Sequence, residues 1–172
     1  LLLRAVGEYP HNLGEGKLES GQENNLYYLL GLVQEKLGEA KDAFESLTRA
    51  CCGESEPVGM MYYNDQPPEM IYYQGLAYRM LGEEEQAVRR FQKLVDYGRE
   101  HIRDDVKIDY FAVSLPDLLI FEENLNERNR KHCLFMMSLG LKGLGRIDEA
   151  EKCAEELLAM DNAHQEIRVH DL

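Results

Sequence analysis

An all-α chain of antiparallel helical hairpins, stacked as a short solenoid with one inserted segment, is predicted by three observations. A stretch built on Leu-Gly recurs three times: "EKLGEAKDAFESLTRA" at 35–50, "RMLGEEEQAVRRFQKL" at 79–94 and "KGLGRIDEAEKCAEEL" at 142–157. Small residues and alanines flank each copy at constant offsets. Apolar side chains on both sides follow a helical period.

Aligned on Leu37-Gly38, Leu81-Gly82 and Leu144-Gly145, each copy has a small residue seven positions before its glycine, at Gly31, Gly75 and Ser138. Five positions after it stands an alanine, Ala43, Ala87 or Ala150. A helix running into Leu-Gly ends there, because glycine takes the left-handed conformation at little cost. A second helix starts directly afterwards, and the small residues let the two backbones approach. Leu26, Leu29, Leu30 and Val33 lead into the first turn, and Ala43, Phe44, Leu47 and Ala50 leave it, at helical intervals. The second copy repeats this with Tyr72, Gly75, Leu76 and Leu81, then Ala87, Val88, Phe91 and Leu94. One hairpin cannot bury its apolar face alone, so the copies are expected to stack.

These residues resemble the tetratricopeptide repeat (TPR), a unit of about 34 residues. Gly31, Gly75 and Ser138 then fall at the family's eighth position, Leu47, Phe91 and Ala154 at its twenty-fourth, and Ala50, Leu94 and Leu157 at its twenty-seventh. Gln74, at the seventh, and Ala154 depart from the usual types. The resemblance implies a right-handed solenoid with repeats at about 24–57, 68–101 and 131–164, and a partial repeat at 1–12 in which Ala5 and Pro10 close a preceding helix. It also implies a concave surface lined by the first helix of each hairpin. Family positions 5 and 9 there are Tyr28 and Leu32, Tyr72 and Leu76, Phe135 and Leu139, an aromatic and a leucine in every copy.

The copies are unevenly spaced. From Gly38 to Gly82 is 44 residues and from Gly82 to Gly145 is 63, so about 10 and about 29 exceed the family period. The larger excess is the insertion 102–130, with an apolar centre of Tyr110, Phe111, Val113, Leu115, Leu118, Leu119, Ile120 and Phe121. Such a segment is expected to fold back as a short helix beginning near Pro116 and to pack on the hairpins, since a flexible linker carries few apolar side chains; the alternative is a docking site for another domain or chain. Together with "YPHNLGEGKL" at 9–18 and the paired tyrosines, "DYFAVSLPDLL" at 109–119 also looks like a group of uncharacterised bacterial proteins. In that group a sugar-mutarotase-like β-sandwich precedes a TPR region. That likeness, and an apolar start without Met, imply the C-terminal part of a larger protein.

Composition narrows the function. A formal charge of −13 excludes nucleic acid and anionic membrane as expected partners, since a phosphate surface is gripped by clustered Lys and Arg. The apolar run "LYYLLGLV" at 26–33 is far short of the roughly 20 residues of a spanning helix. Cys51, Cys52, Cys133 and Cys153 form no CxxC pair and no usual disulfide framework, which reads as a reduced, cytoplasmic protein.

No reaction is legible. "GEGKL" at 14–18 fails the phosphate-loop pattern at His11 and Leu18, and fails the dinucleotide fingerprint at Glu19. His132 and Cys133 are helix neighbours pointing about 100° apart, without metal spacing; His164 and His170 read as surface residues of a polar tail. The carboxylates Glu83, Glu84, Glu85, Asp104, Asp105, Glu122 and Glu123 suit helix starts and solvent faces. No catalytic residue, cofactor or metal is therefore expected. The resemblance implies a non-catalytic scaffold whose partner is a protein or peptide, or the upstream domain of the same chain. The alternative is an accessory C-terminal domain of a carbohydrate-related enzyme, and self-association through the insertion or the repeat ends is a third reading. The carboxylate clamp of chaperone-binding TPR domains is not expected, because Tyr28, Leu32, Tyr73, His132 and Met136 replace its Lys and Asn.

Overall fold

The computed structural model describes residues 1–7, 21–59, 65–107 and 124–170. Among them are eight helices and no strand: α1 (Leu2–Gly7), α2 (Asn24–Lys36), α3 (Ala40–Ala50), α4 (Pro68–Met80), α5 (Glu84–His101), α6 (Leu125–Gly143), α7 (Ile147–Met160) and α8 (Gln165–Val169). The predicted all-helical hairpin fold is the one observed. The helix expected near Pro116 and the stretch 9–18 lie outside the described residues.

Each hairpin closes through the same turn. Gly38, Gly82 and Gly145 take φ of 79°, 80° and 74°, the left-handed region where a side chain is strained. The N–H of Glu39 reaches the carbonyl of Gln34, that of Glu83 reaches Tyr78, and that of Arg146 reaches Leu141, each at 2.9 Å. Behind them the glycine N–H groups bond Glu35, Arg79 and Lys142, each at 3.0 Å. This is a Schellman motif three times over, and it satisfies carbonyls the helix end would otherwise leave open. The residue after the glycine is at once the cap of the next helix: Ala43, Ala87 and Ala150 donate to the carbonyls of Glu39, Glu83 and Arg146.

Within a hairpin the small residue meets the large one. A Cβ on Gly31 would stand 2.7 Å from Leu47 Cγ, and one on Gly75 would stand 2.4 Å from Phe91 Cε1. The equivalent pair in the third hairpin is Ser138 and Ala154, both buried: the larger residue on one helix is matched by a smaller one on the other. Between hairpins the same logic holds. A Cβ on Gly143 would lie 2.2 Å from Phe91 Cδ1, and one on Gly140 would lie 2.5 Å from the Phe91 carbonyl oxygen. Phe91 is thus wedged between α4 and α6, fully buried, at the centre of a cluster that runs from Ile71 to Ile167.

Successive first helices pack directly, α2 on α4 and α4 on α6, whereas the second helices make no comparable contact with one another. The first helices therefore form the inner layer. On α3 the buried residues Ala43, Ser46, Leu47 and Ala50 make one stripe, and on α5 Ala87, Phe91, Leu94, Val95 and Gly98 do the same. In α6 every residue from Cys133 to Leu141 is buried, as an interior helix requires. Its cap is Asn124, whose side chain accepts from the N–H groups of Asn126 and Glu127. The helix begins at Leu125, ahead of the repeat boundary placed at 131.

The connection after α3 is pinned by amides. Asn24 Nδ2 donates to the carbonyls of Ala50 and Cys52, both at 2.8 Å. Gln74, fully buried, donates to those of Cys52 at 3.1 Å and Glu54 at 2.8 Å, and accepts from Arg90 Nε at 3.1 Å. Further along, Lys93 bonds Ser55 and Glu56, and His132 of α6 donates from Nε2 to the Val58 carbonyl at 2.8 Å. One loop therefore touches all three hairpins. The two ends of the insertion also meet: Asn126 accepts from the Val106 N–H at 2.8 Å and donates to Asp105 at 3.2 Å.

Candidate functional site, a row of aromatic rings

Three tyrosines of the first helices meet ring to ring. Tyr28 of α2 lies 5.5 Å, centroid to centroid, from Tyr73 of α4, which lies 5.8 Å from Tyr72. Tyr72 in turn meets Phe91 at 5.7 Å, tying the row to the core. Such tilted pairs at 4.5–7 Å contribute beyond their buried area. Burial pushes the Tyr72 hydroxyl up to about 12, with Tyr28 and Tyr73 adding to the shift and Arg79 opposing it. Tyr28 and Tyr73 are raised for the same leading reason. All three are neutral hydroxyls at physiological pH, able to donate and accept hydrogen bonds beside an apolar ring face.

The six positions expected on this face are not equally open. Tyr28, Leu32 and Leu76 are half-buried. Tyr72 is 7% exposed, Phe135 4% and Leu139 0%. The difference tracks α8. His164 at its start and His170 at its end place their rings 5.3 Å and 5.9 Å from Phe135; His170 also lies 6.0 Å from Tyr72 and 5.7 Å from Tyr73. Between them Ile167 is fully buried in the main cluster. The chain's own C-terminal segment covers the third-hairpin end of the face, and at the first-hairpin end Leu29 and Val33 of α2 stand exposed.

Three residues of this arrangement escape a reading by repeat position. Tyr73 belongs to the row although only its neighbour Tyr72 holds the aligned position. His164 and His170 are packed on rings and are not surface residues of a polar tail. The spacing His-x-x-Ile-x-x-His was the available signal, since three-residue steps share a helix face.

Other candidate chemistry is absorbed by the structure. His132 is held by the Val58 carbonyl, and burial keeps its imidazole pKa below the usual value despite that bond. Cys133 is buried, its thiol pushed up to about 12 by burial and by Asp104. Among the described residues no three His, Cys, Asp or Glu side chains form a group able to hold a metal ion. No described helix is long and apolar enough to cross a membrane.

The family model of the tetratricopeptide repeat matches residues 69–97, which is α4 and most of α5. No solved structure matches the chain. The matched hairpin is the one that holds Gly75, Gly82, Ala87 and Phe91, and its Schellman-closed turn recurs in the hairpins before and after it. The described residues thus form an all-helical, TPR-like stack of hairpins, whose middle hairpin is similar to the tetratricopeptide repeat.

Proposed function

We propose that the protein is a non-catalytic scaffold that holds a protein or peptide segment, in trans or from elsewhere in its own polypeptide, on the ring-lined inner face. The observation that carries this reading is the aromatic row itself: Tyr28, Tyr73 and Tyr72 in ring-to-ring contact across two helices, continued to Phe135 through His170. Rigid rings give large contact area at small entropic cost, and their neutral hydroxyls supply hydrogen bonds to a peptide backbone. The half-buried Tyr28, Leu32 and Leu76, with exposed Leu29 and Val33, form the accessible end of the face. Four free thiols support a reducing, cytoplasmic setting.

The test is a peptide selected against the protein from a displayed library, with affinity measured by calorimetry. Tyr28→Ala together with Tyr73→Ala should weaken binding by about tenfold or more, as for paired hot-spot aromatics, with the helical CD spectrum unchanged. Tyr72 is unsuitable for this purpose because it packs on Phe91. Undiminished affinity in the double variant would rule out the face as the binding surface.

A further inference from the structure

The inner face already has an occupant. Helix α8 spans five residues, well below the length at which a helix is stable alone in water; its conformation is therefore supplied by what it docks on. The docking is that of a helix laid on a groove. Ile167 is fully buried while Gln165, Glu166, Arg168 and Val169 are exposed. His164 and His170, three residues to either side, close the same face through tilted and edge-on ring contacts with Phe135, Tyr72 and Tyr73. At the end of the segment Lys142 of α6 bonds the His170 carbonyl. One aliphatic anchor flanked at three-residue steps by flat rings is the i, i+3 pattern by which amphipathic helices enter grooves.

We propose that the segment His164–His170 is a built-in, displaceable occupant of the inner face, competing for Phe135 and Tyr72 with the protein segment bound there. This rests on the reading of that face as a binding surface. Three features support displacement. Only one of its side chains, Ile167, is fully buried. It bridges α4 and α6, the two helices whose rings a longer ligand starting at Tyr28 must follow. Its removal uncovers rings and leaves the hairpin turns and the Phe91 wedge intact. A tethered competitor of this kind lowers apparent affinity in proportion to the fraction of molecules with the face closed, and its tether keeps its local concentration high.

The probe is a fluorescein-labelled peptide of residues 162–170, titrated by anisotropy against wild-type protein and the Ile167→Glu variant, with Ile167→Ala as the milder change should the first unfold. The variant should bind the peptide about tenfold more tightly than wild type or better, and a peptide carrying the same Ile→Glu change should not bind. In parallel, hydroxyl-radical footprinting should show oxidation of Phe135 and Tyr73 rising severalfold in the variant with Phe91 unchanged. Equal peptide affinity for both proteins, or binding to neither, overturns the proposal; so does an unchanged footprint. Competition and the binding surface fail separately. A library-selected peptide that needs Tyr28 and Tyr73 but binds wild type and the Ile167 variant equally would leave the surface standing and remove the competition.

Discussion

Gly143→Ala tests the packing that joins the second and third hairpins. The substitution falls on the last residue of α6, where replacing Gly by Ala gains at most the interior value of about 1 kcal/mol of helix propensity. Here the new Cβ would stand 2.2 Å from Phe91 Cδ1 and 2.4 Å from Cγ, against the 3.5–4.0 Å at which carbon atoms rest. The ring has to withdraw by more than about 1 Å within a fully buried site. Gly75 also lies against its Cδ1–Cε1 edge, so close that a Cβ there would come 2.4 Å from Cε1, while the Arg79 guanidinium carbon sits 4.9 Å from the ring centre. In so closely packed a site overpacking falls at the upper end of its usual range of about 1–3 kcal/mol, so a net loss of about 2 kcal/mol remains after the propensity gain. For a chain of this length that corresponds to a fall in Tm of about 4–8 °C. Urea unfolding followed by CD should show a lower midpoint with an unchanged slope. Phe91→Leu, which removes the colliding ring atoms, should be coupled to Gly143→Ala by about 1 kcal/mol or more in a double-mutant cycle. Gly82→Ala serves as the contrast, because its Cβ meets nothing within 4 Å and its φ of 80° alone makes it unfavourable; it should show no coupling to Phe91. A neutral or stabilising Gly143→Ala, or strict additivity with Phe91→Leu, would refute the wedge.

Gln74→Leu puts an apolar residue of the usual family type at that position and strips the Cys52 and Glu54 carbonyls of a buried donor; a loss of about 1–3 kcal/mol is expected, with faster proteolysis within 51–59, and a more stable variant would contradict the pinning role. Because burial lowers the His132 pKa, the folded chain binds fewer protons than the unfolded one: stability is full above the unfolded value near 6.5 and declines as pH falls toward the folded pKa. His132→Gln should flatten that decline between about pH 7 and pH 5, and identical slopes in the two proteins would refute the assignment. At pH 8 a thiol reagent should modify exposed Cys52 quickly, and Cys51 and Cys133, both pushed up to about 12 by burial, slowly; rapid labelling of Cys133 in folded protein would contradict its placement. In native-state hydrogen exchange the amides of α2 and α3 should open at lower free energy than those of α5 and α6; equal protection would refute a softer first hairpin.

The hairpins were legible because their turn has one solution. A helix that ends and reverses within three residues needs a left-handed position, and Leu-Gly marks it in all three copies. The facing pairs Gly31–Leu47 and Gly75–Phe91 were readable for the same reason, as small residues at fixed offsets. Gly143 was not, because it stands only two positions before Gly145 and its meaning comes from a ring on the preceding helix, 52 residues earlier in the chain. Gln74 looked like a weak match to the family; its role appears only once the carbonyls of Cys52 and Glu54 are seen above it. The start of α6 was hidden inside the insertion, since Asn124 as a cap cannot be told from any asparagine in a polar stretch. For the six residues expected on the inner face, exposure was not legible. That depends on α8, whose one trace in the sequence is the His164-x-x-Ile167-x-x-His170 spacing within a short polar stretch.

Repeat arrays add their stability from each unit and from the interface with its neighbour, and the two interfaces here are built differently. Between the second and third hairpins the core is apolar and continuous, from Ile71 through Phe91, Leu134 and Leu157 to Ile167. Between the first and second, the buried apolar cluster is Leu47, Ala50 and Ala77, with Tyr27, Tyr28, Cys51 and Leu81 partly covered around it. What supplements it is polar: Asn24 and Gln74 share the Cys52 carbonyl from opposite sides, and Gln66 bonds the Glu54 carbonyl. Hydrogen bonds are directional and individually modest in net stability, so such a junction fixes register strongly while resisting separation weakly. Tyr28 rides on the hairpin so held, and Tyr73 on the rigid one beside it. Their ring contact, 5.5 Å between centroids, thus spans the junction that yields first; on the proposed reading, a ligand would adjust the inner face there, while α8 would control access at the other end.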